Sequence, residues 1–162
     1  MSSGADASNE PARFALRAGD LPGFTLQGAS SVSDPTPTPA STQPELWTSA
    51  TLHQAVWANT ASMAFVGEMI VTAADRAAAE QWSRFLWYGI GESTDLTDVE
   101  QQTVNAVGEA AIALTWPGSG VSFAGITFYR NNVAVMVWTN TPLSDAERWA
   151  RVIDSRIKNG GE

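Results

Sequence analysis

Val121-Ser122-Phe123-Ala124-Gly125-Ile126-Thr127-Phe128-Tyr129-Arg130-Asn131-Asn132-Val133-Ala134-Val135-Met136-Val137-Trp138-Thr139 is the stretch on which the fold turns. Two runs rich in β-branched and aromatic residues flank Asn131-Asn132, and Asn tolerates the left-handed backbone angles of a tight two-residue turn. With that turn, Arg130 faces Val133, Phe128 faces Val135, Ile126 faces Val137 and Gly125 faces Trp138. Strand alternation then gives Ala124, Ile126, Phe128, Val135 and Val137 to one face and Phe123, Tyr129, Met136 and Trp138 to the other. Both faces are apolar, so the hairpin needs cover on both sides. Trp138 is expected to lie over the bare position Gly125.

Downstream, Ser144-Asp145-Ala146-Glu147 has the form of a capping box and opens a helix with the apolar stripe Ala146, Trp149, Ala150, Ile153 and Ile157. Upstream, Ala110 to Trp116 suits a strand, and Pro117-Gly118-Ser119-Gly120 turns the chain back. Val99 to Val107 fits a strand or a short helix, and Met63 to Val71 fits a strand covered on both faces. Between them, Thr72-Ala73-Ala74-Asp75 caps an Ala-rich helix running to about Tyr88, with Gly89 and Gly91 as its stop. Leu46 to Trp57 reads as helix running into strand, and Phe24 to Val32 as a strand behind the turn Leu21-Pro22-Gly23-Phe24. A short helix around Phe14, Ala15 and Leu16 comes first, stopped by Gly19. Ser33 to Pro44 alternates Pro with Thr and is expected to be an extended, solvated loop. The summed expectation is an α+β fold: an antiparallel sheet of about five to six strands, two long amphipathic helices packed on it and a short N-terminal helix. Residues 1–162 form one domain in this reading, with the Pro/Thr-rich loop at 33–44 inside it.

The 162 residues are 44% hydrophobic and 16% charged, enough for a substantial core. Absence of Cys excludes disulfides, thiol nucleophiles and Cys-ligated metals, and a single His excludes multi-His metal sites. The net charge of −8, with one Lys, offers no basic patch for a phosphate backbone, so nucleic acid is not an expected partner. No apolar run is long enough to cross a bilayer. The polar start Met1-Ser2-Ser3-Gly4 has neither a basic nor an apolar leader region. Such a start is also what trimming a signal peptide or a lipid-bearing Cys leaves behind.

From Met63 onward the order is strand, capped helix, strand pair, Asn-turn hairpin and amphipathic helix. Ala106-Val107-Gly108-Glu109-Ala110-Ala111 leads into a strand, and Phe128-Tyr129-Arg130-Asn131-Asn132-Val133-Ala134-Val135 precedes the final helix. This arrangement resembles the small extracytoplasmic domains of bacterial lipoproteins and membrane-anchored sensor proteins, over about 100 residues. The resemblance implies an extracytoplasmic location, secreted or anchored by a signal absent from this chain, and a binding or sensing role without enzymatic activity. The chain departs from such proteins in having no lipobox Cys, no attached kinase and no transmembrane stretch.

No catalytic residue, metal site or cofactor is assigned from the residues themselves. His53 reads as a structural or surface imidazole, and Ser119 lacks the strand-to-helix elbow of a serine hydrolase. Gly89-Ile90-Gly91-Glu92 follows a helix, lacks Lys and carries an acid, so it is a helix stop and not a phosphate loop. Glu92, Asp95, Asp98 and Glu100 make a solvated acidic loop without the ligand order of a Ca²⁺ site. Glu68, between Gly67 and Met69 in an apolar strand, would have its pKa raised if buried; pairing with an Arg such as Arg130, or exposure at a strand edge, is the expected outcome.

The seven Trp are the compositional outlier. Indole N–H groups want partners, so surplus Trp marks pocket rims and interfaces. Trp82 and Trp149 fall on core stripes, whereas Trp87 with Tyr88 falls off its helix stripe. A ligand cleft between helix and sheet is therefore expected from Trp57, Met69, Trp87, Tyr88, Trp116, Tyr129, Met136 and Trp138, for an apolar or amphipathic small molecule such as a lipid. The competing expectation is an exposed apolar face that pairs with a second copy or an envelope protein.

Overall fold

The computed structural model describes residues 10–33, 50–93, 99–118 and 120–161; the side chains of 87–93 lie outside that set. Seven strands form one antiparallel sheet: β1 (Thr25–Ser33), β2 (Thr51–Asn59), β3 (Ala64–Thr72), β4 (Glu100–Val104), β5 (Ala110–Pro117), β6 (Ser122–Arg130) and β7 (Val133–Thr139). Their spatial order is β1-β2-β3-β7-β6-β5-β4. Helix α1 (Arg76–Ser93) joins β3 to β4, α2 (Leu143–Lys158) ends the chain, and 3₁₀ turns Pro11–Phe14 and Ala18–Asp20 precede β1. The sheet thus has one or two more strands than expected, because both ambiguous stretches supply one: Thr51–Asn59 is entirely strand, and Glu100–Val104 is an edge strand. The Pro/Thr-rich stretch from 34, Leu46, Trp47, Asp95 and Asp98 lie outside the described residues.

The β6–β7 register is the one the Asn turn implies, with Arg130 opposite Val133 and Gly125 opposite Trp138, and Asn131 takes a positive φ of 52°. Pairing of β7 with β3 sets Trp138 opposite Gly67 as well. The indole lies over Gly67 and not over Gly125: a Cβ at Gly67 would meet the ring at 2.2 Å, while one at Gly125 would meet the Met136 methyl at 2.8 Å.

Each helix covers one face. On the first, Val66, Ile70, Ile126, Phe128, Val135 and Val137 pack against Ala146, Trp149, Ala150 and Ile153 of α2, and Phe14, Leu16 and Leu21 close the gap beside it. On the second, Val71, Leu114, Trp116, Tyr129 and Met136 pack against Ala79, Trp82 and Leu86 of α1. Thr127 Oγ1 donates to the Ser83 carbonyl at 2.5 Å, tying α1 to β6.

The helix ends differ from the capping-box expectation. Asp75 caps α1, its Oδ1 accepting from the Ala78 N–H at 2.8 Å, so the cap lies three residues after Thr72. At α2 the N-cap is Pro142 with no side-chain cap bond, and Ser144 lies inside the helix. Helix α1 also runs through Gly89 and Gly91 to Ser93. Each glycine costs about 1 kcal/mol in a helix, less than packing through Trp82 and Leu86 returns.

The quoted Gly-acid and aromatic-Arg-Asn motifs are a structural clip. Gly108 turns with φ of 60° where a Cβ would lie 2.6 Å from the Tyr129 carbonyl. Glu109 accepts from Arg76 Nε at 2.6 Å and from the Asn131 N–H at 3.2 Å. Arg130 forms a bidentate pair with buried Asp154 of α2 and donates to the Gly108 carbonyl at 3.1 Å. Burial works to raise the Asp154 pKa, but the Arg130 and Gly108 bonds prevail and hold it below the usual carboxylate range.

Candidate functional site

On the α2 face, β2 and β3 place Ala55 opposite Glu68, which brings His53, Trp57 and Glu68 together beneath the N-terminal 3₁₀ turns. Glu68 is 0% exposed. Its Oε2 accepts from the Leu16 N–H at 3.0 Å, while its Oε1 is without a hydrogen-bond partner and stands 3.9 Å from His53 Nε2. The Trp57 indole N–H leans toward the same carboxyl, near enough to favour its charge without completing a hydrogen bond. Burial, the largest influence, pushes Glu68 up to about 7; Leu16, Trp57 and Arg156 pull the other way and Asp20 adds to the rise. Burial lowers the His53 pKa, against the attraction of Glu10. Ser31 Oγ lies 3.2 Å from His53 Nδ1, so a polar file runs from the exposed edge strand to the buried carboxyl. The 3.9 Å gap is beyond a hydrogen bond, and Glu68 does not orient the imidazole as the acid of a hydrolase triad does. The expected Glu68–Arg130 pair does not form, because Arg130, at the end of β6, pairs with Asp154 of α2 instead.

On the other face, α1 packs on β6 and β7 and touches β3, leaving β1 and β2 uncovered by it. There an open groove of about 600 Å³ is lined by Gln27, Gly28, Ser30, Gln54, Val56, Met69 and Trp138. The half-buried Met69 and Trp138 form its apolar wall, and small β1 residues its far side. A smaller hollow of about 280 Å³ between α1 and the β4–β6 end takes in Arg84, Gln101, Ile112, Thr127 and Tyr129.

The eight residues expected to line one cleft are therefore divided. Met69 and Trp138 line the groove, and Tyr129 borders the smaller hollow. Trp116 and Met136 are buried in the core beneath α1, Trp57 is buried on the opposite face, and the side chains of Trp87 and Tyr88 lie outside the described residues. The indoles with described side chains do not converge on one concavity. Sequence reasoning missed Val56, Gln54, Gln27 and Ser30 as groove residues. The signal was there in β1, whose Gly, Ala and Ser are too small to fill the space beside Met69. Among the described residues no three His, Asp or Glu gather as a metal site, and no helix is long and apolar enough to cross a membrane.

No protein-family model matches the chain, and no curated protein sequence is similar to it. Among solved structures it is similar to the extracellular domain of PknH from Mycobacterium tuberculosis, with a TM-score of 0.64 and 10% identity over 94% of this chain and 97% of that one. The two share a fold. The likeness spans the whole α+β layout and agrees with the fold class read from the sequence. At 10% identity it carries the architecture and not the side chains of any site.

Proposed function

We propose that this chain is a non-enzymatic extracytoplasmic sensor-like domain that takes an apolar or amphipathic small molecule in the groove beside Met69 and Trp138. The observation that carries the reading is the uncovered half of the α1 face, where an apolar wall borders about 600 Å³ of open space. The shared fold with an extracellular domain supports the location. The rim polar groups, Gln27, Ser30 and Gln54, suit a ligand with one polar end.

The test is a titration followed by tryptophan emission, with dodecanoate, lysophosphatidylcholine and indole as probes. A saturable change for at least one probe, abolished by Met69→Lys, is the expected result. A flat response to all three, or binding that Met69→Lys leaves intact, overturns the reading.

Strand β1 favours a second reading. It is exposed along all nine residues, carries no charge, and presents Leu26 and Val32 at 44% and 45% exposure. An edge of that kind is suited to pairing with a second copy of the chain. A concentration-independent monomer in light scattering excludes it.

A further inference from the structure

We propose that Glu68 is a protonation-controlled latch for the N-terminal segment, residues 10–21: the segment docks on the sheet while the carboxyl is protonated and loosens as it ionises. The inference stands apart from the groove, which lies on the opposite face.

The geometry defines both states. The segment is seated by Phe14, Leu16 and Leu21 in the core and by the Leu16 N–H on Glu68 Oε2. Docked, it seals a carboxyl at 0% exposure with one oxygen unpartnered, an arrangement that a protonated acid tolerates and a carboxylate does not. Undocked, the segment opens Glu68 to water, where its ordinary pKa returns. The docked form therefore binds the proton more tightly, and by linkage protonation tightens docking.

The surrounding charges do not cancel the effect. Arg156 of α2 is the cation that acts on Glu68, and it is committed to the segment, donating to the Ala15 carbonyl at 2.7 Å and pairing with Asp20 at 2.8 Å. Asp20 disfavours ionisation of Glu68. Arg13 of the segment places its guanidinium over the Phe14 ring. On β2, His53 is the opposing group: its pKa is lowered by burial, so its own protonation on further acidification favours opening. Glu10, which attracts a proton to His53, moderates that. The latch is tightest on the acid side of neutrality, before His53 charges.

The test uses the full chain and amide hydrogen exchange across residues 10–21, corrected for intrinsic exchange. Protection of Leu16 and its neighbours is expected to be greater at pH 6 than at pH 8, by up to about tenfold for one protonation centred near neutrality, less the part His53 withdraws below its ordinary 6.5. Glu68→Gln is expected to abolish the gain in protection from pH 8 to pH 6, leaving only the opposite drift that His53 imposes on acidification. A direct ¹³C titration of the wild-type Glu68 carboxyl, which needs no variant, is expected to show a midpoint near 7. The proposal is overturned by protection at pH 6 no greater than at pH 8, by a carboxyl midpoint in the ordinary Glu range, or by a gain in protection toward pH 6 that survives Glu68→Gln. Dependence lost instead in His53→Asn assigns the switch to the imidazole and equally overturns it.

Discussion

A methyl group added at Gly67 would stand 2.2 Å from two carbons of the Trp138 ring, inside any allowed contact. Trp138 is only half-buried, so the ring has a way out, toward the groove it walls. Gly67→Ala is accordingly expected to cost about 1–3 kcal/mol, the range for overpacking, and to fill part of the groove with displaced indole. Urea denaturation measures the first effect, and a red shift of tryptophan emission reports the second. An unchanged midpoint and spectrum would mean that the ring is not held where it lies over Gly67. The same pair shows how far single residues were legible. The opposition of Gly125 and Trp138 followed from turn length, because register obeys a period of two. Which of two flanking glycines the indole would cover depended on the third strand, and no local pattern in β6 or β7 contains β3.

Helices and strands were legible in proportion to how much their own residues decide. The hairpin β6–β7 and the stripe of α2 depend on alternation and 3.6-residue spacing, and both stand as the pattern implies. Strand β2 answers the strand end of the stretch read as helix running into strand: pairing with β1 and β3 makes Thr51–Asn59 strand throughout, while Leu46 and Trp47, on which the helical start rested, lie outside the described residues. Caps were misplaced because a Ser/Thr-x-x-acid pattern does not by itself fix where the first helical turn begins. Asp75, the last residue of the Thr72 box, is itself the residue that binds the Ala78 N–H. Asp75→Ala is therefore expected to destabilise the protein by about 1 kcal/mol, the usual worth of an N-cap. Exposed Ser144, with no cap bond to lose, should tolerate Ala within about 0.5 kcal/mol. Parallel urea titrations decide it, and equal losses in the two variants would refute the assignment of the caps.

At the scale of the whole molecule the sheet offers more apolar face than two helices cover, and the two sides answer that differently. The N-terminal segment covers β2 and β3 on the α2 side with Phe14, Leu16 and Leu21, and the α1 side stays open over β1 and β2. The sequence pattern showed that the surplus existed; it did not show which side would keep it, because that depends on where both connections cross the sheet. The closure traps Glu68, and the trapped group shapes stability against pH. Its pKa is raised on folding to about 7, so the native state binds more protons than the unfolded chain from the ordinary Glu range up to that value. Stability should fall as pH rises through this window and level off above it. Asp154 acts oppositely: held below its ordinary value, it contributes stability that is present above that value and lost as pH falls through its lowered one. His53, lowered by burial, likewise loses stability on acidification below its ordinary 6.5. The three together place the optimum on the mildly acidic side of neutrality. Glu68→Gln should abolish the decline toward alkaline pH and gain up to about 3 kcal/mol at pH 8, checked by urea midpoints from pH 5 to 8. Wild-type stability that climbs steadily to pH 8, with no gain in the variant, would contradict this. The gain has a ceiling set by the latch: once undocking residues 10–21 is easier than enduring the buried charge, further ionisation opens the segment and spares the remaining core. Where that ceiling is reached, the drop in stability from its acid maximum to its alkaline plateau should equal the free energy of opening the segment that hydrogen exchange reports on the acid side.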